Sequence, residues 1–73
     1  MQSPLKLFGR RVRELREHRR WTQEQLATKC GRHWTYIGGI ERGERNPTLR
    51  VIVDVAGALG VSVGDLFPEP RAQ

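Results

Sequence analysis

A chain of 73 residues makes one small domain with a limited core and leaves no room for a separate catalytic lobe. It carries 13 Lys and Arg against 8 Asp and Glu, a formal net charge of +5, which suits a polyanionic partner such as DNA, RNA or an acidic membrane surface. Its single cysteine, Cys30, cannot close an internal disulfide and lacks the set of Cys and His partners that a zinc site needs, which points to a reducing cytoplasm.

The charge is uneven: residues 1–20 hold seven basic and two acidic side chains, whereas residues 46–73 hold two and three. No apolar run approaches the roughly 18 residues of a membrane span, and Met1 to Leu7 is not a signal peptide. In chain order, Leu5, Phe8, Val12 and Leu15 advance by three, four and three, the period of an amphipathic helix, here from about Pro4 to His18. Thr22 and Gln25 have the spacing of a capping box, and Trp21 and Leu26 that of a hydrophobic staple. A second helix follows from Gln23 to near Cys30, with Leu26, Ala27 and Cys30 inward and Gly31 as its stop. A third runs from His33 or Trp34 to Arg42, with Ile37 and Ile40 inward and Gly43 as the stop. Two short helices joined by a glycine-containing turn form a helix-turn-helix arrangement.

Asn46-Pro47-Thr48 restarts the chain, Thr48 being a good N-cap. Leu49, Ile52, Val53, Ala56 and Leu59 supply the buried stripe of a fourth helix, closed by Gly60. Ser62 and Asp65 have cap spacing ahead of Leu66 and Phe67, so a short fifth helix is expected, ended by Pro68-Glu69-Pro70. Order is expected over about residues 4–67, with 68–73 as a tail of the single domain 1–73. The fold class is therefore all-α, with five helices and no competing strand pattern.

Several blocks now resemble a known family. They are Gly9-Arg10-Arg11-Val12-Arg13-Glu14-Leu15-Arg16, Thr22-Gln23-Glu24-Gln25-Leu26-Ala27, Tyr36-Ile37 with Ile40-Glu41-Arg42-Gly43, Arg45-Asn46-Pro47-Thr48-Leu49 and Ala58-Leu59-Gly60-Val61-Ser62. In order and spacing they resemble the phage lambda repressor and Cro type of helix-turn-helix domain, the XRE family, across about residues 7–67. Thr35-Tyr36-Ile37, Gly39-Ile40-Glu41-Arg42 and Arg45-Asn46 look particularly like the controller proteins of restriction-modification systems.

That resemblance implies a double-stranded-DNA-binding transcriptional regulator whose third helix lies in the major groove. Carried over by position, the residues facing DNA are Arg32, His33, Trp34, Thr35 and Tyr36, with Gly39 on the same face and Arg42 and Arg45 beside it. Thr35 and Trp34 suit base edges and thymine methyls, and His33 and Tyr36 suit phosphate. Arg32 and Arg45 offer planar forks to phosphate or guanine. Gln23, at the start of helix two, matches a position that clamps a phosphate. Arg16 and Glu41 match a structural ion pair.

Two departures from the family pattern stand out. Gly38 and Gly39 interrupt the recognition helix, removing a customary base-reading side chain, and Arg32-His33 replace the usual apolar residue and Ser/Thr cap, which weakens the start of helix three. A homodimer on a palindromic operator is expected, through Val51, Val55, Val61, Val63, Leu66 and Phe67. The alternative is an antitoxin or protein-interaction module on the same fold. An enzyme fits poorly, because His18 and His33 belong to no full set of carboxylate or Cys partners for catalysis or metal binding; no cofactor, metal or small-molecule ligand is indicated. The interrupted apolar stripes also argue against a membrane binder.

Overall fold

Each helix starts on a side-chain oxygen or nitrogen that answers its orphan N–H groups. Ser3 accepts the Lys6 N–H at 3.1 Å and opens α1, Pro4–His18, with the proline in the first turn where its missing N–H costs nothing. Thr22 and Gln25 complete a reciprocal capping box, at 3.1 and 2.8 Å, and start α2, Gln23–Cys30. His33 caps α3, Trp34–Glu41, and Thr48 caps α4, Leu49–Leu59. Gly31 and Gly60 end α2 and α4 in the left-handed conformation, φ 69° and 72°, which glycine adopts without strain. These facts come from a computed structural model that describes residues 3–67. The expected tail at 68–73 lies outside the described residues.

The helices share one core built from Phe8, Val12, Leu26, Ile37, Ile40, Val51, Val55, Ala56, Leu59 and Leu66. At its centre α1 crosses α3 at Gly9. A Cβ there would collide with the carbonyl oxygen of Ile40 and come within 2.7 Å of that of Glu41, so only a bare α-carbon lets the two backbones meet. Among the described residues no helix is long and apolar enough to cross a membrane.

Three expectations need correction. The fifth helix is a single turn of 3-10 helix, Val63–Leu66, although its capping box, Ser62 with Asp65, forms as expected. Phe67 is extended, φ −113° and ψ 108°, as a residue before a proline is driven to be, and this ends the turn. The described residues thus contain four α-helices.

The buried face of α4 also differs from the expected one. Val51 and Val55 point into the core, and Leu49 and Val53, expected inside, are 71% and 42% exposed. Arg50 and Asp54 mark the solvent side of this helix, but Leu49 and Val53 on one flank and Val51 and Val55 on the other lie equally far from it; packing against α2 and the 3-10 turn decides between them. Third, Val51, Val55 and Leu66 are thereby removed from the expected dimer surface, since side chains enclosed by their own protomer have nothing left to offer a partner. Val61 and Val63 are half-buried against the core, and Phe67 is exposed with its ring 5.2 Å from that of Phe8.

Candidate nucleic-acid interface

The sequence of α3 sorts its own faces. Ile37 and Ile40, three apart, are fully enclosed, while Trp34 is 47% exposed and Thr35 lies open beside it. Tyr36 is half-buried at the edge. The helix begins more firmly than expected. His33 is a working cap, its Nδ1 accepting the Thr35 N–H at 3.2 Å. The Thr35 hydroxyl lies 2.8 Å from the same nitrogen. The rings of His33 and Trp34 stack at 6.2 Å between centroids, 24° from parallel, at the front of α3.

Behind α3 sits a buried polar network. Arg16 donates from Nε and Nη2 to the two carboxylate oxygens of Glu41, at 2.6 and 3.0 Å, and from Nη1 to the carbonyl of Trp21 at 2.7 Å. The Glu41 side chain is 3% exposed and that of Arg16 10%. The hydrogen bond to Glu41 raises the Arg16 guanidinium above its ordinary range, with burial opposing. Gln23 belongs to the same network, its Nε2 donating to Glu41 at 3.0 Å. One of its amide N–H groups is thereby turned inward, holding the start of α2 to the end of α3, while the other N–H and the amide oxygen make no hydrogen bond among the described residues.

Arg32 is also redirected. Its Nη2 donates to Asp54 on α4 at 2.5 Å, so the guanidinium braces the turn before α3 against α4. Its Nε is buried with no hydrogen-bond partner among the described residues. Arg42 caps the end of α3 and reaches Glu44 at 3.0 Å in an exposed pair.

The two glycines of α3 are the least anticipated part of the site. Both are buried, although neither faces the core. A Cβ on Gly38 would meet Arg42 Nη1 at 3.1 Å and Gln23 Oε1 at 3.2 Å, and one on Gly39 would meet Arg45 Cγ at 2.8 Å. Each therefore accommodates a polar side chain arriving from elsewhere. Arg45 continues to 5.7 Å from the Tyr36 ring, within cation–π range. The outer face thus unites His33, Trp34, Thr35, Tyr36, Arg42 and Arg45, with Arg32 at its border and bound to Asp54.

A family model described as a helix-turn-helix domain matches residues 7–69. This chain belongs to the helix-turn-helix domain family. It is 48% identical over 62 residues to the control protein C.BamHI of Bacillus amyloliquefaciens, covering 84% of this chain and 76% of that protein. The structure is similar to that of the restriction-modification controller protein C.AhdI from Aeromonas hydrophila, with TM-score 0.85 and 44% identity over 86% of this chain and 96% of that one. It is also similar to the controller protein C.Esp1396I, solved as a tetramer with its natural 35 base-pair operator, with TM-score 0.78 and 34% identity over 85% and 82% of the two chains. In helix-turn-helix terms, α2 and α3 are the motif and α3 is the recognition helix.

Proposed function

We propose that this protein is a sequence-specific transcriptional regulator that lays α3 in the major groove of duplex DNA and binds a palindromic operator as a homodimer. One observation carries the reading: Trp34 and Thr35 stand open on a helix whose opposite side, Ile37 and Ile40, is fully buried. A helix of this width fits the major groove, and recognition helices read base edges with their N-terminal residues. Thr35 and Trp34 meet bases in this reading, while His33, Tyr36 and Arg42 contact phosphate. Operator binding by the C.Esp1396I tetramer supports it.

The dimer surface falls on apolar groups left open by the protomer, Leu49 and Val53 on α4 and Phe67 beyond the 3-10 turn, with Val61 and Val63 at its edge. The protein works in this reading without catalysis and in the cytoplasm. Selection of bound duplexes from a random pool, followed by a salt titration, tests it. An enriched palindrome with affinity falling steeply as salt rises is expected. Binding confined to a partner protein, with no enriched duplex, favours the antitoxin reading instead.

A further inference from the structure

We infer that Gly39 sets the DNA sequence preference of this protein by seating Arg45 on the recognition helix, so that Arg45 reads a guanine at the place where a side chain of residue 39 would otherwise point. The inference rests on the DNA-binding reading above and adds to it a positioning residue and the group it positions.

The geometry is specific to this chain. Tyr36 and Gly39 are three residues apart and lie on one face of α3, so a side chain at 39 would project beside the Tyr36 ring. None is there. Instead the chain reverses at Gly43, φ 75°, and the Glu44 N–H donates to the Gly39 carbonyl at 2.8 Å. That bond draws the following residue onto the helix. Arg45 then lies along the bare α-carbon, with Cγ, Nε and Cδ at 2.8, 3.3 and 3.6 Å from where a Cβ would stand, and its guanidinium over Tyr36. This covering by Arg45 accounts for a glycine that is buried on the side of α3 turned away from the core.

The charges around α3 single out the same residue. Arg16 is bound to Glu41, Arg32 to Asp54 and Arg42 to Glu44. Arg45 makes no ion pair and no hydrogen bond among the described residues, yet its stem is held in place by Gly39 and Tyr36. A pre-positioned planar fork with all its donors free matches the two acceptors, O6 and N7, that guanine presents in the major groove. Any side chain at position 39 would contest that seat. The arginine stem can swing aside without disturbing the core, so the contest changes the reading head and leaves the fold.

The test is the random-duplex selection run on the wild type and on Arg45→Ala, Arg45→Lys, Gly39→Ala and the Gly39→Ala/Arg45→Ala double variant, each also melted thermally. The wild type should enrich one guanine per half-site that both single alanine variants cease to prefer, each losing about tenfold in discrimination at that base pair. The double variant should lose no more than either single one, and Gly39→Ala should melt no lower than wild type because alanine favours the helix. Arg45→Lys, which keeps the charge and lacks the fork, should lose the same preference with its salt dependence intact. Full discrimination by Gly39→Ala, or an even loss across all sequences for Arg45→Ala and none for Arg45→Lys, would overturn the inference. A wild type that enriches no duplex would instead overturn the DNA-binding reading itself.

Discussion

Arg16 and Glu41 lie 25 positions apart in the chain and meet as a two-pronged pair, Nε to Oε2 at 2.6 Å and Nη2 to Oε1 at 3.0 Å, that ties the end of α1 to the end of α3. Gln23 adds α2 to the same carboxylate. The recognition helix is thus held at its C-terminal end by charge and in its middle by Ile37 and Ile40, while its N-terminal edge stays open. Because the raised Arg16 value lies above its ordinary one, the stability this group contributes is fully present below the ordinary value and is lost only as pH rises through the raised one. Neutral and mildly alkaline conditions therefore leave the arginine side of the pair intact.

Truncating Glu41 strands a buried guanidinium. Glu41→Ala is expected to cost about 3 kcal/mol, a fall of about 10 °C or more in melting temperature for a domain of this size. Glu44→Ala, which breaks only the exposed pair with Arg42, is expected to cost about 1 kcal/mol or less. Gln23→Ala should fall between them, since it removes one hydrogen bond to Glu41 and no charge. Thermal melts of the three variants check this order, and equal values for Glu41→Ala and Glu44→Ala would contradict it.

The glycines separate by what surrounds them. Gly9→Ala drives a methyl into the α3 backbone and should cost about 3 kcal/mol, because two helices must part to admit it. Gly57, inside α4, has nothing within 4 Å of an added Cβ, so Gly57→Ala should stabilise by roughly 1 kcal/mol through helix propensity alone. Urea unfolding midpoints of the two variants should move in opposite directions.

His33 makes the start of α3 testable by a conservative swap. Loss of the cap in His33→Ala should destabilise by about 1 kcal/mol, and His33→Ser, which restores an acceptor for the first turn, should recover most of it. Chemical denaturation reads both, and a His33→Ser variant no more stable than His33→Ala would show that the imidazole acts through its stacking on Trp34 instead.

The Cys30 thiol should be sluggish. Burial pushes it above the ordinary thiol range, with the charge of Arg32 pulling the other way. A raised folded-state value means that the neutral thiol is favoured in the fold, an advantage fully present below the ordinary range and lost as pH rises through the raised value. Iodoacetamide at pH 8 should therefore alkylate the native protein several-fold more slowly than the urea-unfolded chain, and equal rates would contradict the account.

Local chemistry was the legible part of this sequence. Thr22 with Gln25, Ser62 with Asp65, Thr48, Gly31 and Gly60 announce helix ends because their partners lie within a few residues, and all of them act as expected. Burial of Ile37 and Ile40 followed from their spacing. What distance in the chain hides was harder to read. The inward bonds of Arg32 and Gln23 are hidden in the sequence because their acceptors, Asp54 and Glu41, are 22 and 18 residues away. Val51 and Val55 take the places expected of Leu49 and Val53 because the two flanks lie equally far from the polar side that Arg50 and Asp54 mark. A capping box marks where the last element starts and says nothing of its length, so Val63–Leu66 was expected as a helix. The role of Gly39 is invisible without knowing that Arg45 folds back across it. His33, by contrast, stands at the cap position, but imidazole is an uncommon acceptor there and gives a weak signal in the sequence.

The central claim is that the open edge of α3 enters the major groove, and methylation interference on the selected duplex tests it most directly. Methyl groups on guanine N7 protrude into the major groove, where Trp34, Thr35 and Arg45 would have to pass. Interference at guanines in two half-sites about one helical turn apart, absent from the flanks and weakened at one guanine per half-site by Arg45→Ala, is the predicted result. Unimpaired binding to fully N7-methylated duplex would contradict the account.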